Sequence, residues 1–345
     1  MRILFITQVV DKNDAVLGFV HGWLAELSRV FEHIHVICLK KGEVELPPNV
    51  IVHSLGKEGG ESRAKYVRRF FSYAIGLRKE YENVFVHMNA EYVILMGLLW
   101  RLWGKKIVLW YNHTYGTWRA DIAMTLAHIV CHTSPYAFTA GTPKSVRMPA
   151  GIDTKVFRPD RSADRIPGSI LYLGRIAPVK GVHTLVEAAK LLSSGGIDFS
   201  LDIYGGALPK DAEYLKSLEK NVVQGALEEK VFFRGAIANR EAPKVFCTHE
   251  IFVNLTPAGN YDKTVLEAMA CGGISVVSSK AFADILTPEF RFEEGSADDL
   301  ARALERNLAR SGEEQKQIGE TFSKYVHDTH DLQLLAKKIR GLYGN

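Results

Sequence analysis

Two cationic side chains follow an apolar segment in the middle of the chain. Residues 174–181 read Gly-Arg-Ile-Ala-Pro-Val-Lys-Gly, directly after Ile170–Leu173. If the apolar segment is a strand of a parallel sheet, Arg175 and Lys180 stand at its carboxyl end, where such sheets bind their ligands. Glycines at both ends of this loop permit a close approach of the backbone, and a guanidinium with an ammonium can bind a diphosphate. The alternative is a pair of solvated loop charges.

A second segment offers backbone amides to an anion. Ile251–Leu255 reads as another strand, and Asp262, a few residues later, is suited to cap a helix because its carboxylate can accept a helix-start N–H. The amides expected to be exposed at that helix start, as a small positive pocket, are those of Lys263, Thr264 and Val265. Glu267 is a lone acid in the apolar helix that follows, so it faces either the core or a site.

Short apolar runs alternate with helical patterns along both halves of the chain. The runs extend from Ile3–Thr7 to Ile274–Ser278. This alternation predicts an α/β protein with two doubly wound parallel sheets. The proline-punctuated stretch Pro149–Pro167 is typical of a linker, so we expect domains at 1–158 and 159–325. Two such domains facing one another would bring their strand ends to a shared cleft.

Composition and missing motifs exclude several classes of function. The net charge of +4 on 345 residues is too small to predict nucleic-acid binding. The 4 cysteines form no CxxC pair and no cluster with histidine, so we expect no metal site, no disulfide and a reduced, cytoplasmic setting. The N-terminus lacks the features of a signal peptide, and no run reaches the roughly 18 apolar residues of a membrane span. Neither GxGxxG nor GxxxxGK[ST] occurs, which disfavours dinucleotide cofactors and P-loop ATPases.

The two segments together resemble the donor-binding motifs of retaining glycosyltransferases with the GT-B fold, in particular the large bacterial mannosyl- and glucosyltransferase family (glycosyltransferase family 4). Gly-Arg-x4-Lys-Gly resembles the family's donor-diphosphate motif, and Leu266–Gly272 resembles the second half of its Glu-x7-Glu motif. The resemblance implies that Arg175 and Lys180 bind the pyrophosphate of a nucleotide sugar during catalysis, while Glu267 holds the ribose hydroxyls. It also implies two Rossmann-like domains, retention at the anomeric carbon, no cofactor and no required metal.

The chain departs from this family at Gly259, which stands where the first glutamate of the Glu-x7-Glu motif is expected. In the family that glutamate helps to hold the transferred sugar near the reacting carbon, and glycine has no side chain for this task. Asn260, Asp262 and Thr256 are candidates to compensate, although Asp262 can equally be only the helix cap. The departure concerns the sugar half of the site and leaves the nucleotide half intact.

Further residues in both halves extend the resemblance. His113 follows the apolar run Ile107–Trp110 and is similar in position to the family's histidine beside the donor sugar and the acceptor, so we expect it in the catalytic site. His87, which also follows an apolar run, is a second candidate. The remaining positions similar to donor-binding segments of the family are Gly18 before the first helix, Gly205 in a turn after a strand, and Arg234, which can stack on the base.

The acceptor is not specified by these motifs. The basic and aromatic segment Arg63–Lys79 can lie on an anionic membrane surface, or it can be an ordinary amphipathic helix packed on a sheet. The family includes enzymes with lipid-linked acceptors, so the resemblance implies a glycan or lipid-linked acceptor and a protein that is cytoplasmic or peripheral on the inner membrane face. We also expect one final helix over Thr321–Tyr343, with the segment at about 326–345 packing back on the first domain.

Other functions are compatible with the same fold. A sugar-nucleotide epimerase would use the donor pocket without releasing a nucleoside diphosphate. A non-catalytic nucleotide-binding subunit would be consistent with Gly259. A glycogen-type phosphorylase would need a pyridoxal lysine and a much longer chain than these 345 residues.

Overall fold

The computed structural model of this chain describes residues 1–14, 16–160, 162–257, 259 and 261–344. The chain divides into two compact units, Met1–Gly151 with Asp331–Asn345, and Ile152–His330. The limits expected from the sequence lie at 158 and 326, whereas the division in the structure falls at Gly151 and Asp331. The first unit is therefore discontinuous in sequence.

The first unit is built on a parallel sheet. In the described part of the chain its strands run in the order β3-β2-β1-β4-β5-β6-β7. Their bounds are Arg2–Val10 (β1), His33–Lys41 (β2), Val50–Ser54 (β3), Asn83–His87 (β4), Ile107–Trp110 (β5), Ile129–His132 (β6) and Ser145–Arg147 (β7). Ile6 of β1 pairs with Ile37 of β2 and Val86 of β4, and all three side chains are fully buried. These strands read as continuous apolar runs because helices cover both faces of the sheet.

Helices pack on the two faces of this sheet. Their bounds are Phe19–Leu27 (α1), Arg63–Gly76 (α2), Ala90–Leu102 (α3) and Trp118–Leu126 (α4), with Leu332–Gly341 (α11) from the end of the chain. On one face, Trp23 of α1 and Leu335 of α11 share a buried cluster with Phe5. On the other face, Phe70 of α2 and Trp100 of α3 belong to a second cluster. The last helix thus completes the core of the first unit.

The aromatic side of α2 faces the sheet. Phe70 is fully buried, and Tyr66, Tyr73 and Leu77 pack against the same cluster. The exposed side carries basic residues instead. Of the two interpretations of Arg63–Lys79, the amphipathic helix packed on a sheet therefore accounts for its aromatic residues.

The second unit has the same kind of architecture. Among the described residues its parallel strands run in the order β10-β9-β8-β11-β12. The strand bounds are Ile166–Leu173 (β8), Ser200–Tyr204 (β9), Val231–Gly235 (β10), His249–Asn254 (β11) and Ile274–Val277 (β12). The helix bounds are Val182–Ser194 (α5), Ala212–Gln224 (α6), Ala242–Thr248 (α7), Lys263–Ala270 (α8), Ala297–Leu308 (α9) and Gly312–His330 (α10). The predicted pair of doubly wound parallel sheets is confirmed.

The expected single helix over Thr321–Tyr343 is wrong. The structure has two helices there, α10 and α11, which are interrupted at Asp331. The carboxylate of Asp331 accepts hydrogen bonds from the amides of Gln333 at 2.7 Å and Leu334 at 3.3 Å. Aspartate at such a position caps a new helix. The break lets α10 belong to the second unit and α11 to the first.

Two elements of the first unit were not expected from the sequence. The strand β7 has only 3 residues, too few to show an alternating pattern. The helix α4 exposes Trp118 and Ile122, so its apolar residues do not mark a single buried face. Its start carries a usable signal, since the Thr117 hydroxyl accepts a hydrogen bond from the amide of Ala120 at 3.2 Å.

Candidate functional site

Topology brings the two motif-bearing loops together in the second unit. β8 and β11 are neighbours in the sheet, although two strands and three helices separate them in the described sequence. The strand order reverses at this pair, and the carboxyl ends of strands at such a point are where doubly wound sheets bind ligands. The loop 174–181 leaves the end of β8, and the segment 255–262 leaves the end of β11.

Lys180 joins these two loops. Its ammonium donates hydrogen bonds to the hydroxyl of Thr256 and to Oδ2 of Asp262, each at 3.1 Å. The Thr256 hydroxyl in turn donates to the same carboxylate oxygen at 2.9 Å. An ammonium has three N–H donors, so one remains for a ligand. Gly181, with a φ of +65°, then turns the chain into α5.

Asp262 is both the cap of α8 and the partner of Lys180. Its Oδ1 accepts hydrogen bonds from the amide of Thr264 at 3.3 Å and from the Thr264 hydroxyl at 3.0 Å. Burial favours a raised pKa for Asp262, but the charge and hydrogen bond of Lys180, with the bonds from Thr256 and Thr264, hold this pKa below its ordinary value. The carboxylate is therefore ionised at neutral pH.

The amides at the start of α8 are used differently from the sequence prediction. The amide of Thr264 donates to the Asp262 carboxylate, and the amide of Val265 donates to the Asp262 carbonyl at 3.3 Å. Asp262 thus occupies much of the place that an external anion was expected to take. The predicted attraction for a diphosphate therefore falls mainly on the ammonium of Lys180 and the guanidinium of Arg175.

Glu267 lies one turn into α8 and is only 7% exposed. Among the described residues, none donates a hydrogen bond to its carboxylate. Burial raises the pKa of Glu267 above its ordinary value and lowers the pKa of Lys263 on the same helix. A buried carboxyl group whose acceptor oxygens are unused costs stability, and such groups are typical of binding sites.

Arg175 stands beside this constellation with an exposed side chain. Within the described part of the chain its guanidinium makes no hydrogen bond or ion pair. Its backbone is fixed, because the Tyr172 hydroxyl donates to the Arg175 carbonyl at 3.1 Å. A fixed backbone with an unengaged guanidinium suits the binding of an anion from solution.

Gly205 is packed directly against the loop that carries Arg175. It has a φ of +149°, and a Cβ built on it would lie 1.8 Å from the carbonyl oxygen of Gly174. Backbone bonds join the same loops, from the Gly174 amide to the Tyr204 carbonyl and from the Ile176 amide to the Gly206 carbonyl, both at 3.0 Å. Gly205 therefore supports the position of the loop through its missing side chain.

Arg234 is already engaged within the protein. Its Nε donates to Oδ1 of Asp202 at 2.8 Å, and its guanidinium lies 4.6 Å from the centre of the Phe232 ring. Asp202 also contacts the ring of His249 at 3.1 Å. Arg234 thus stacks on Phe232, and its contact with a nucleotide base stays a prediction.

Two site predictions fall in the loop before α8. Asn260 lies outside the described residues. Gly259 is described and has a φ of +90°, a conformation that L side chains rarely adopt. The backbone here therefore favours the glycine that replaces the family's glutamate.

The two histidines predicted as site residues in the first unit, His113 and His87, differ in their exposure. His113 follows β5 and is exposed, with its ring 5.0 Å from that of Tyr111 in an edge-on contact. Partial desolvation by its neighbours lowers the pKa of His113 below its ordinary value, so the imidazole is neutral at pH 7. His87 is instead a core residue, 5% exposed, with its Nδ1 3.2 Å from the Thr7 hydroxyl.

Gly18 caps α1 in a crowded backbone environment. A Cβ built on it would lie 2.6 Å from the carbonyl oxygen of Asp14. The same oxygen accepts a hydrogen bond from the Gly18 amide at 3.0 Å. The glycine is required by this packing, whatever ligand the loop binds.

Sequence reasoning missed Asn254, the last residue of β11. Its side-chain oxygen accepts from the Thr256 amide at 3.1 Å, and its side-chain nitrogen donates to the Thr264 hydroxyl at 3.4 Å. It thus fixes both Thr256 and the start of α8. A buried asparagine at the end of an otherwise apolar strand was the available signal.

Similarity to known proteins supports this description of the second unit. Residues 167–310 match the family model described as "Glycosyl transferases group 1". Mannosylfructose-phosphate synthase from Agrobacterium fabrum is 29% identical over 143 residues, which cover 38% of this chain and 32% of that relative. The GDP-mannose-dependent alpha-(1-6)-phosphatidylinositol dimannoside mannosyltransferase of Mycobacterium tuberculosis is 26% identical over 159 residues, which cover 43% of this chain and 39% of that relative. The chain therefore spans less than half the length of these curated relatives.

Solved structures resemble the fold of nearly the whole chain. Sucrose-phosphate synthase from Thermosynechococcus elongatus has a TM-score of 0.79 at 19% identity, covering 99% of this chain and 98% of that one. Anabaena Alr3699/HepE in complex with UDP and glucose has a TM-score of 0.75 at 16% identity, covering 98% of each chain. The chain shares the GT-B fold of these structures, and residues 167–310 match the glycosyl transferases group 1 model.

Proposed function

We propose that this chain is a glycosyltransferase that moves a sugar from a nucleotide-sugar donor to an acceptor hydroxyl. The observation that carries the proposal is Lys180, which Thr256 and Asp262 hold at 3.1 Å each while one of its N–H donors remains available. The group 1 domain and the resemblance of the loop motifs support the same conclusion.

The reaction needs stabilisation of a departing nucleoside diphosphate. In our proposal the ammonium of Lys180 and the guanidinium of Arg175 bind its phosphate oxygens, and their positive charges lower the energy of the transition state as negative charge develops. Asp262 orients Lys180 through their hydrogen bond. Two cations can supply this charge without a divalent metal, so we propose metal-independent transfer.

Glu267 is proposed to bind the ribose of the donor. An ionised carboxylate has two oxygens that can accept the two hydroxyl protons of a vicinal diol. Its burial and its lack of a hydrogen-bond donor among the described residues support this role. Donor binding would satisfy a group that is costly to leave unpaired.

His113 is the proposed catalytic residue of the first unit. As a neutral imidazole it can both donate and accept a hydrogen bond, so it can orient a substrate hydroxyl. Because the motifs of the chain resemble those of a retaining family, we propose that the transfer retains the anomeric configuration.

The proposal is tested by incubating the protein with UDP-, GDP- and ADP-sugars and measuring nucleoside diphosphate release and sugar transfer. We expect turnover with the sugars of one of these nucleotides, also in the presence of EDTA. We expect turnover to be lost in Lys180→Ala and in Glu267→Ala. The proton coupling at the new anomeric centre reports retention or inversion. Normal turnover in both variants would overturn the site, and a requirement for metal would overturn metal-independent transfer.

A non-catalytic nucleotide-binding protein is the second candidate function. The observation that favours it is Gly259, whose φ of +90° suits glycine better than the acid found in the family. Tight binding of a nucleoside diphosphate without transfer or donor hydrolysis would support this alternative. An epimerase would instead convert the donor sugar and leave its bond to the diphosphate intact.

The acceptor is proposed to be a lipid-linked or envelope glycan at an anionic membrane surface. On the surface of the first unit, Leu98 and Leu102 of α3 are 66% and 80% exposed and Trp118 of α4 is 66% exposed. The exposed residues of the neighbouring α2 include Arg63, Lys65 and Arg68. Apolar side chains flanked by cations suit a surface with acidic lipids. Within the described residues, no helix combines the length and apolar character needed to cross a membrane.

Vesicle flotation tests this surface. We expect binding to vesicles that contain phosphatidylglycerol, weakened by added salt and by Leu98→Asp with Leu102→Asp. The matched control is Leu191→Asp on α5 of the second unit, where the leucine is 42% exposed. Equal binding to neutral vesicles, or equal loss in the control, would contradict the proposal.

A further inference from the structure

A cluster of three histidines lies at the edge of the first unit's sheet, and the proposed reaction uses none of them. His33 and His35 belong to β2, and His53 belongs to β3, the last strand on that side in the described part of the chain. The ring centres of His33 and His35 are 4.7 Å apart, and those of His35 and His53 are 5.3 Å apart. His35 is only 2% exposed, whereas His53 is partly exposed and can exchange protons with the solvent. The sheet edge thus holds adjacent rings whose ordinary pKa is about 6.5.

His35 and His53 share one proton in a hydrogen bond. The Nδ1 of His35 lies 3.1 Å from the Nε2 of His53. Such a bond needs an N–H on one ring and a lone pair on the other. If both rings were fully protonated, two N–H groups would face each other and the bond would be lost. The bond therefore joins β2 to β3 only while at least one of the two rings is neutral.

The end of α2 contacts the same pair. The Oε2 of Glu80, in the turn after α2, lies 3.1 Å from the Nε2 of His35, although no hydrogen bond joins these atoms in the described part of the chain. The ring of Tyr73 on α2 lies 5.0 Å from the ring of His53. Glu80 is the carboxylate that acts on both imidazole rings, and it can compensate only one of two positive charges. Protonation of both rings would therefore place uncompensated charge between the sheet and α2.

The surroundings of the pair make protonation costly in the folded protein. Burial lowers the pKa of His35, the charge of His33 lowers it further, and Glu80 opposes both. Burial also lowers the pKa of His53, with contributions from the charges of His35 and Lys41. In an open form, with β3 and α2 detached from the sheet, both rings would have their ordinary pKa of about 6.5. The open form therefore binds protons more readily, so the stability of the closed form is present above about pH 6.5 and is lost as the pH falls below it.

We propose that His35 and His53 form a pH-sensitive latch that attaches β3 and α2 to the first sheet at neutral pH and loosens them in mildly acidic solution. Each ring takes up a proton from the solvent, their shared hydrogen bond breaks, and repulsion between the two imidazolium groups favours the open form. β3 is suited to such opening because it has only 5 residues and pairs with β2 alone among the described strands. The contacts of Tyr73 and Glu80 connect α2 to the same event.

Hydrogen exchange of the full-length protein tests the latch at about pH 7.5 and about pH 5.5, on either side of the ordinary pKa of histidine. Protection factors correct for the intrinsic pH dependence of exchange. We expect the amides of β3 and α2 to lose protection by about tenfold or more at the lower pH, because each ring that stays neutral in the closed form contributes about tenfold at one unit below its ordinary pKa. The amides of β8 and β9 in the second unit should keep their protection. Equal protection at the two pH values, or an equal loss in both units, would overturn the latch.

Three variants test whether the histidine pair causes the loss. His53→Asn removes one titrating ring at a partly exposed position and should show a smaller loss than the wild type. Glu80→Gln removes the compensating carboxylate, so the closed form resists protonation more strongly and the loss on acidification should be larger. His327→Asn is the matched control, because it removes one exposed histidine from the second unit and should leave the loss unchanged. A loss in β3 and α2 that is the same in His53→Asn as in the wild type, that is smaller in Glu80→Gln, or that His327→Asn reduces equally, would overturn the role of the pair.

Discussion

At the scale of residues, the proposed donor site depends on the contacts that hold Lys180. Lys180 reaches the start of α8, where Thr256 and Asp262 accept its hydrogen bonds. The residue types and the spacing of the loop were sufficient to predict an anion site. The pairing of Lys180 with Asp262 was not predictable, because 82 positions separate the two residues in sequence. They meet only because β8 and β11 are neighbours in the sheet.

Lys180→Ala is expected to weaken nucleoside diphosphate binding by about 10- to 100-fold, since a hydrogen bond to a charged group contributes about 1.5–3 kcal/mol. Isothermal titration calorimetry measures this change. The matched control is Lys190→Ala, which removes a lysine paired at 2.8 Å with Glu187 on the surface of α5. That variant should bind the nucleotide as the wild type does. An equal loss of affinity in both variants would mean that only the net charge of the protein matters and would contradict a specific contact with Lys180.

Nucleotide affinity is expected to depend on the ionisation of Glu267. Burial raises the pKa of Glu267 to about 7, and the ionised form accepts both ribose hydroxyls, so affinity should rise as pH increases through about 7. Titrations across this range check the direction. Glu267→Gln removes the titrating group while the phosphates of the ligand titrate as before. A pH dependence unchanged in Glu267→Gln would exclude Glu267 as its cause.

At the scale of elements, glycines and caps decide the details that apolar patterns leave open. The runs of apolar residues predicted the main strands, because both sheets are covered on both faces. The short strand β7 and the weakly amphipathic helix α4 carry no such pattern. The helix break at Asp331 depends on a cap that is local in sequence, so closer attention to capping would have found it.

Gly205→Ala is expected to destabilise the second unit by more than about 2 kcal/mol, because the new Cβ would meet the Gly174 carbonyl oxygen at 1.8 Å. Urea denaturation measures the free energy of unfolding. Gly196→Ala is the control, with a φ of +73° and open space around the built Cβ. It should cost only the backbone strain of about 1 kcal/mol. Equal losses of unfolding free energy in the two variants would show that the loops after β8 and β9 move apart at little cost, which would contradict the prediction.

At the scale of the whole molecule, the end of the chain completes the core that its beginning starts. Trp23 of α1 donates to the Gly151 carbonyl at 3.2 Å, and Tyr343, just after α11, donates to the Val84 carbonyl at 3.0 Å. The return of the last helix was expected from the resemblance to GT-B proteins and not from its apolar pattern, which does not say which sheet it covers.

Ile339→Ala is expected to destabilise the first unit by about 2–5 kcal/mol, since Ile339 of α11 is fully buried in the cluster with Trp23. Hydrogen exchange locates the effect, and the amides of β1, β2 and β4 should lose protection. Lys337→Ala, at an exposed position of the same helix, should change stability by less than about 0.5 kcal/mol. Loss of protection confined to the second unit would contradict the assignment of α11.

The most direct test of the donor site is a crystal structure of the protein with the nucleoside diphosphate that binds best. We expect phosphate oxygens within hydrogen-bonding distance of the Lys180 ammonium and the Arg175 guanidinium, and ribose hydroxyls on the Glu267 carboxylate. A nucleotide bound elsewhere, with Lys180 still bonded only to Thr256 and Asp262, would contradict the proposed donor site.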